Sequence, residues 1–358
     1  MKPRERILTT LRRQTPDRMP WMLGMTPVIQ KTFAQKTGAK SVETFYDFDV
    51  RGVGPRPALN PPDFSKYYEG RAFAGPVSLN PEWGFAQVSP DSNSHFAHWE
   101  SPFGDRPFTL EDAETYPLPD YESPSRYEGV EEAVRAWRDR GYAVRYIQGF
   151  GTFDYSWLIR GYEPLLADLA TEEEAALRLM DRVSDAIASV LKHTAARGAD
   201  IVGFGEDVGT QKNLIVSPGC WRRQFKPRFK KIVDAAKNAS PDVLFFYHSD
   251  GQIREIIPDL IEIGVDILNP IQPECMDPAE IKETFGDRLA LWGGVGTQTV
   301  MPFGTPEEVR ACVQRLFRTA GRGGGFVCAP SHVLEPEVPW ENVEAFVTAC
   351  QECVYGFR

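Results

Sequence analysis

Six short apolar runs, separated by longer stretches of helical pattern, confine the second half of this chain to a parallel β/α arrangement. The runs are 143–148 (AVRYIQ), 200–205 (DIVGFG), 243–248 (VLFFYH), 266–269 (DILN), 289–294 (LALWGG) and 325–329 (GFVCA). Helical stretches occupy 171–197, 219–237, 252–263, 277–285 and 305–320. Parallel neighbours need a crossover of a dozen or more residues, and a helix of this length fills it. The punctuation agrees. Ser217-Pro218 and Thr305-Pro306-Glu307-Glu308 open helices with proline at the first helical position, and Gly264 and Gly286 fall where helices should stop.

Six such units, with an early strand expected at 18–23 (RMPWML), predict a closed barrel rather than an open sheet: an α/β fold of the (β/α)8 TIM type. The region from about 55 to 125 breaks the rhythm. It is rich in Pro, Asn, Asp and aromatic residues, and 83–103 is patterned as a β-hairpin. It reads as an insertion over the C-terminal strand ends, so that residues 1–358 make one barrel domain.

Charge and composition exclude several classes of function. The formal net charge is −10, so the surface repels phosphate backbones and nucleic acid is not an expected partner. No stretch approaches the roughly 20 consecutive apolar residues of a membrane helix. Met1 to Arg6 leads into an amphipathic helix instead of an apolar signal core, and a cytoplasmic protein is expected. The six cysteines (Cys220, Cys275, Cys312, Cys328, Cys350 and Cys353) are scattered. Cys350 and Cys353 form a C-x-x-C pair that reads as part of a terminal helix, and no disulfide framework is expected.

The polar residues at the close of each apolar run are informative. Gln148 ends the first, Glu206-Asp207 comes after the second, and His248-Ser249-Asp250 closes the third. Asn269 and Gln272 come next, then Thr297 and Gln298, then Ser331-His332. Ionisable and amide side chains thus gather at the strands' carboxyl ends, the face where barrel enzymes hold their chemistry. His248 and Asp250, one residue apart, join His332 as two imidazoles and a carboxylate, a set suited to zinc or another divalent ion. Equally, both histidines can serve as hydrogen-bonded acid/base groups with no metal. Glu206 is the candidate general acid or fourth ligand, with an ion pair to Lys212 as the plainer alternative, and Asp207 is a further catalytic candidate. Gln148, Asn269, Gln272 and Gln298 are placed to orient a small molecule. Cys275 is either a thiolate ligand or a packed loop cysteine. His95 and His98 alternate with Phe96 and Trp99, which suits one face of a lid or surface strand.

Several segments carry a family resemblance. Arg4-Glu5-Arg6-Ile7 followed by Thr15-Pro16-Asp17-Arg18-Met19-Pro20 resembles the opening of uroporphyrinogen decarboxylase superfamily members. Gly294-Val295-Gly296-Thr297-Gln298, Pro302 to Val309, and Ala329-Pro330-Ser331-His332 with Pro339-Trp340-Glu341-Asn342-Val343 are similar to later segments of that superfamily. The resemblance implies a (β/α)8 barrel with its site at the carboxyl ends of the strands. The decarboxylase branch carries an arginine-rich M-R-Q-A-G-R segment, where this chain reads Trp21 to Pro27 without arginine. Trp157 stands where that branch has its active-site tyrosine, Glu206 replaces a serine, and His332 matches the late histidine. The methyltransferase branch binds zinc through H-x-C and a later cysteine. His248 matches that histidine, Asp250 stands at the first cysteine position and His332 near the second.

The resemblance therefore points first to a divalent-metal-dependent methyltransferase of demethylase type, with zinc on His248, Asp250 and His332. It would pass methyl groups between a small molecule and a corrinoid (cobalamin) protein or a thiol. Glu206, His332 and Asp207 would act in catalysis, and Trp157 would stand among the substrate-binding residues. A decarboxylase or lyase acting on a smaller acid or tetrapyrrole is the second reading, and a non-catalytic subunit that docks a corrinoid protein is the third. The chain contains no D-x-H-x-x-G segment, so a corrinoid would arrive on a partner protein. A second copy of the chain, as a homodimer, is the other expected partner.

Overall fold

The computed structural model describes residues 1–89, 98–104 and 106–356. Its described strands are β1 (Val50–Gly52), β2 (Val77–Leu79), β3 (Ala86–Val88), β4 (His98–Glu100), β5 (Ala143–Gln148), β6 (Ile201–Gly205), β7 (Leu244–His248), β8 (Ile267–Asn269), β9 (Ala290–Val295) and β10 (Phe326–Pro330). Seven run parallel in the order β1-β5-β6-β7-β8-β9-β10. Each barrel strand lies beside the next in sequence, as helical crossovers of one hand produce. All six strands anticipated in the second half are present.

The early strand expected at 18–23 is corrected. Trp21 and Met25 make only isolated parallel bridges, to Cys328 and Leu334. Pro20 and Pro27 have no N–H to donate, so a continuous ladder cannot form there. The Met22 N–H still donates to the Cys328 carbonyl at 3.1 Å, and Pro20 accepts from the Cys328 N–H at 2.9 Å. This segment carries the seam beyond β10, and Trp21 packs edge-on against Phe48, at 5.2 Å, just ahead of β1. The result is a (β/α) barrel. β1 itself had no forecast: three residues that end on Gly52, with Gly54 and Pro55 just beyond, are too short for a periodic signal.

Inside the barrel, Val50, Ala143, Ile201, Phe246, Ile267, Ala290, Trp292, Val327 and Ala329 form one cluster with Ile7, Leu8 and Leu11. Those last three belong to helix α1 (Pro3–Leu11), which stops the amino-terminal end. Burying each such aliphatic side chain is worth about 1.5–3 kcal/mol. The larger core lies between the strands and the outer helices. There the helices Glu174–Ala196, Pro278–Phe285 and Pro306–Arg318 match their forecasts. Thr305 and Glu308 form the capping box that the sequence signals.

In the insertion, β2, β3 and β4 form an antiparallel sheet, with Val88 opposite both Val77 and His98. The β3–β4 pair is the expected hairpin, while its His95 and Phe96 lie outside the described residues. Trp83 stacks on Tyr155 with ring centroids 3.5 Å apart, and Phe85 and Trp99 meet Phe150 edge-on. Phe150 and Tyr155 directly follow β5, so the insertion covers the carboxyl end of that strand.

Candidate active site

The register of the sheet sets Gly205 beside His248, and His248 beside Asn269. A side chain at residue 205 would crowd the imidazole, its Cβ lying 3.2 Å from His248 Cδ2. Asn269 fixes that ring. Its Nδ2 donates to the Trp292 carbonyl at 2.8 Å, which leaves Oδ1 facing His248 Nδ1 at 2.6 Å. An amide oxygen can only accept, so Nδ1 carries a proton, and in the neutral ring Nε2 keeps the lone pair.

That free nitrogen faces two carboxylates. Asp207 Oδ1 lies 3.7 Å from His248 Nε2 and accepts the Asp250 N–H at 2.8 Å. One ligand atom each from Asp207, His248 and Asp250 fall within 4.8 Å of one another. A turn after β7 makes this possible. Ser249 Oγ accepts the Val208 N–H, and the Gly251 N–H donates to Gln272 Oε1 at 3.0 Å. Gly251 adopts φ +81°, and a Cβ there would strike the Thr210 and Gly209 carbonyls. Burial raises the Asp250 pKa above the usual carboxylate range; His248 and His332 oppose that shift and the Asp207 charge adds to it. Two carboxylates beside an imidazole whose Nδ1 is held by Asn269 form a donor set that a divalent cation fits.

His332 stands apart from this group. It is exposed in the loop after β10, although its charge still bears on Asp250. Glu206 turns the other way and is 1% exposed. Its Oε2 accepts the Phe153 N–H at 2.6 Å, while Oε1 is sealed without a hydrogen-bond partner. Burial, with Asp154 nearby, raises its pKa well above normal. Asp154 is itself pushed up to about 8, by burial first and by the Asp207 charge second. Asp154 is therefore largely protonated at neutral pH, and burial pushes Glu206 in the same direction. Among the described residues neither pairs with Lys212.

Three of the four amides expected to orient substrate are engaged by the protein. Gln148 accepts from the Tyr146 hydroxyl and donates to that of Tyr155, each at 2.5 Å. Asn269 holds His248, and Gln272 holds the Gly251 turn. Gln298 is exposed and lines a separate depression with Val300 and Phe303. Trp157 donates its indole N–H to Asp154 at 3.1 Å. The Cys275 thiol lies against Gln211 Oε1 at 3.3 Å, and burial raises its pKa.

A cavity of about 630 Å³ opens at this face, lined by β1, β5, β6, β7 and β8, with His248 and Asn269 in its wall. Two participants were not among the expected site residues. Asp154 comes six residues after the 143–148 run, among the polar residues at that strand end, but was given no role; Arg145 lies inside an apolar strand and lines the cavity. The one available hint to Arg145 was a lone cation in a run otherwise patterned for burial.

Known proteins share this architecture. A family model described as uroporphyrinogen decarboxylase (URO-D) matches residues 95–353. A uroporphyrinogen decarboxylase from Synechococcus sp. (strain CC9605) is 28% identical over 190 residues, covering 53% of this chain and 51% of that protein. The methylcobamide:CoM methyltransferase MtaA of Methanosarcina barkeri is 27% identical over 155 residues, covering 43% of this chain and 42% of that one. The chain thus spans about half the length of these curated relatives. Among solved structures, a methyltransferase from Methanosarcina mazei superposes with a TM-score of 0.68 at 15% identity, over 98% of this chain and 99% of that chain. That likeness is one of fold.

Proposed function

This chain belongs to the uroporphyrinogen decarboxylase family, and within it we propose that it is a divalent-metal-dependent methyltransferase, moving a methyl group between a small molecule and a corrinoid protein or thiol. The observation that carries the reading is His248, whose Nδ1 Asn269 holds so that Nε2 faces the carboxylates of Asp207 and Asp250. In this reading His248, Asp250 and Asp207 hold the ion, zinc by preference, and His332 stands at the rim where it meets the substrate. A bound ion would supply a Lewis acid that polarises the substrate's oxygen or sulfur. The remaining work falls to the protein: Asn269 sets the imidazole, the Ser249–Gly251 turn sets Asp250, and the cavity excludes bulk water around the reacting group. Methyltransferases among the relatives, such as the methylated-thiol–coenzyme M methyltransferase of Methanosarcina mazei at 26% identity, support the choice of reaction.

Porphyrin decarboxylation is disfavoured by the residues present. Trp21 to Pro27 supplies no arginine, and Arg145 is the lone cationic residue lining the described cavity, too little for a polyanionic tetrapyrrole. A purely docking role would leave the clustered, mutually repelling carboxylates unexplained. Elemental analysis of protein purified after growth with zinc, cobalt and iron tests the reading. One equivalent of metal is expected. Metal-free protein, or enzymatic conversion of uroporphyrinogen under anaerobic conditions, would sink it.

A further inference from the structure

Arg145 occupies an unusual place. Along β5, Ala143 and Ile147 pack into the barrel interior, whereas Val144 packs outward beneath Val130 and Val134. Side chains alternate along a strand, so Arg145 shares the inward face with Ala143 and Ile147. Its guanidinium lies 5.7 Å from the centre of the Trp292 ring, inside the barrel. No hydrogen bond or ion pair to it is found among the described residues. Its nitrogens are not among the sealed, partnerless polar atoms either, so they open into the cavity that His248 also lines. Glu43 is the one carboxylate whose charge bears on it, and burial works against its own charge.

An unpaired cation inside a barrel destabilises the fold, and replacing such a group by an apolar side chain commonly stabilises a protein. Other arginines of this chain show the usual remedy: Arg6 is held by Asp17 and Asp49, and Arg126 by both oxygens of Glu82. At Arg145 the carboxylate is missing from the protein and its place is open cavity.

We propose that Arg145 is the anchor for a single carboxylate on the small-molecule substrate, holding that end deep in the barrel while the other end meets His248. The chemistry selects the anion. A phosphate dianion would keep one uncompensated charge against Phe246, Ile147 and Val53, which line the same cavity. A sulfonate presents a third oxygen to that apolar wall. A carboxylate places two oxygens on the planar guanidinium fork and leaves none over. The proposal deepens the methyltransferase reading by adding an anionic end to the substrate, and it rests on that reading only for the identity of the reacting end.

The test is thermal unfolding of the full chain with and without benzoate, methanesulfonate or inorganic phosphate. It is run on the wild type, Arg145→Met, Arg145→Lys and His248→Ala, each also after chelator treatment. Benzoate should raise the melting temperature of wild type and of His248→Ala alike, with or without chelator. In Arg145→Met the apparent benzoate affinity should fall by roughly 10- to 100-fold, the range for losing a charge-assisted hydrogen-bonded pair. Arg145→Met should itself melt no lower than wild type. Arg145→Lys keeps the charge without the fork and should bind with intermediate affinity; it carries the comparison if the methionine variant does not fold. Equal benzoate responses in wild type and the Arg145 variants overturn the proposal, as does a response to phosphate or methanesulfonate without one to benzoate. Loss of benzoate binding in His248→Ala or after chelation would also overturn it, by placing the anion on the metal cluster. Metal-free protein that still binds benzoate through Arg145 would defeat the methyltransferase reading and leave this inference standing.

Discussion

The two ends of the barrel treat charge in opposite ways. At the amino-terminal end, carboxylates are matched with cations. Asp200, just ahead of β6, accepts Arg4 at 2.8 Å, Arg138 at 2.6 Å and the Val144 N–H at 2.9 Å. Asp49, ahead of β1, holds Arg6 and Arg18. Asp266, ahead of β8, holds Lys237 and the Phe245 N–H, both at 2.8 Å. At the carboxyl end, Asp207 and Asp250 share the His248 imidazole, and no lysine or arginine pairs with them among the described residues. Arg145 meanwhile has no carboxylate. Matched charges fasten strands to helices; charges left unmatched in a cavity make it receptive to a cation and an anion from outside.

The sharpest way to break this contrast is at the carboxyl end. His248→Ala should lower metal content and methyl transfer by more than the roughly 100-fold that losing an outer hydrogen-bond partner costs, while its urea midpoint stays near that of wild type. Elemental analysis and a methyl-transfer assay on the same preparation check both halves. An active His248→Ala enzyme would mean that the cluster does not hold the ion.

Next in size is Arg6→Ala at the closed end. It removes the cation between Asp17 and Asp49, and should cost about 3 kcal/mol in urea denaturation with activity per folded molecule unchanged. It should also alter acid unfolding. Burial alone would raise the Asp17 pKa, but the Arg6 guanidinium outweighs it and holds the group well below the usual range. A lowered folded pKa stabilises above the unfolded carboxyl value near 4 and is lost as pH falls further. The wild type should therefore lose stability steadily below about pH 4, and Arg6→Ala should show a shallower fall.

Asn269→Ala sharpens the assignment of the imidazole tautomer. With its Nδ1 partner gone, His248 should bind metal about 10- to 100-fold more weakly, as chelator competition would show. Little change would leave the ring's orientation to another group. The smallest effect belongs to Arg4→Ala. Its side chain is 40% exposed, and Asp200 retains Arg138 and the Val144 N–H, so about 0–1 kcal/mol is expected. A loss as large as that of Arg6→Ala would show that pairing at this end is cooperative rather than redundant.

Much of this arrangement could be read from residue order, for identifiable reasons. β5 to β10 are apolar runs of strand length between capped helices, so their existence was legible. The seam was not, because Pro20 and Pro27 break a segment that hydrophobicity alone presents as a strand. His248 and Asp250 stood out as a spaced pair closing a strand. Asp207 stood out as a catalytic candidate but not as a member of this cluster, since that depends on the Ser249–Gly251 turn delivering the Asp250 N–H to it. His332, the natural choice by strand-end position, is exposed in the loop after β10 and lies outside the group of Asp207, His248 and Asp250, though near enough for its charge to act on Asp250. Arg145 was hidden because AVRYIQ has apolar residues on both faces, and only packing reveals which face turns inward.

Helix α1 has a consequence for the order of events. With Ile7, Leu8 and Leu11 stopping one end, the barrel is a blind well, and whatever lies at its floor must come and go by the mouth that the insertion flanks. Under the methyltransferase reading, a carrier protein presenting a bulky cofactor could approach only that same rim, and once seated it would cork the well. Under the methyltransferase reading, the small molecule must therefore enter before the carrier arrives and leave after it departs, which makes turnover a compulsory sequence of arrivals set by a short helical plug at the far end of the molecule.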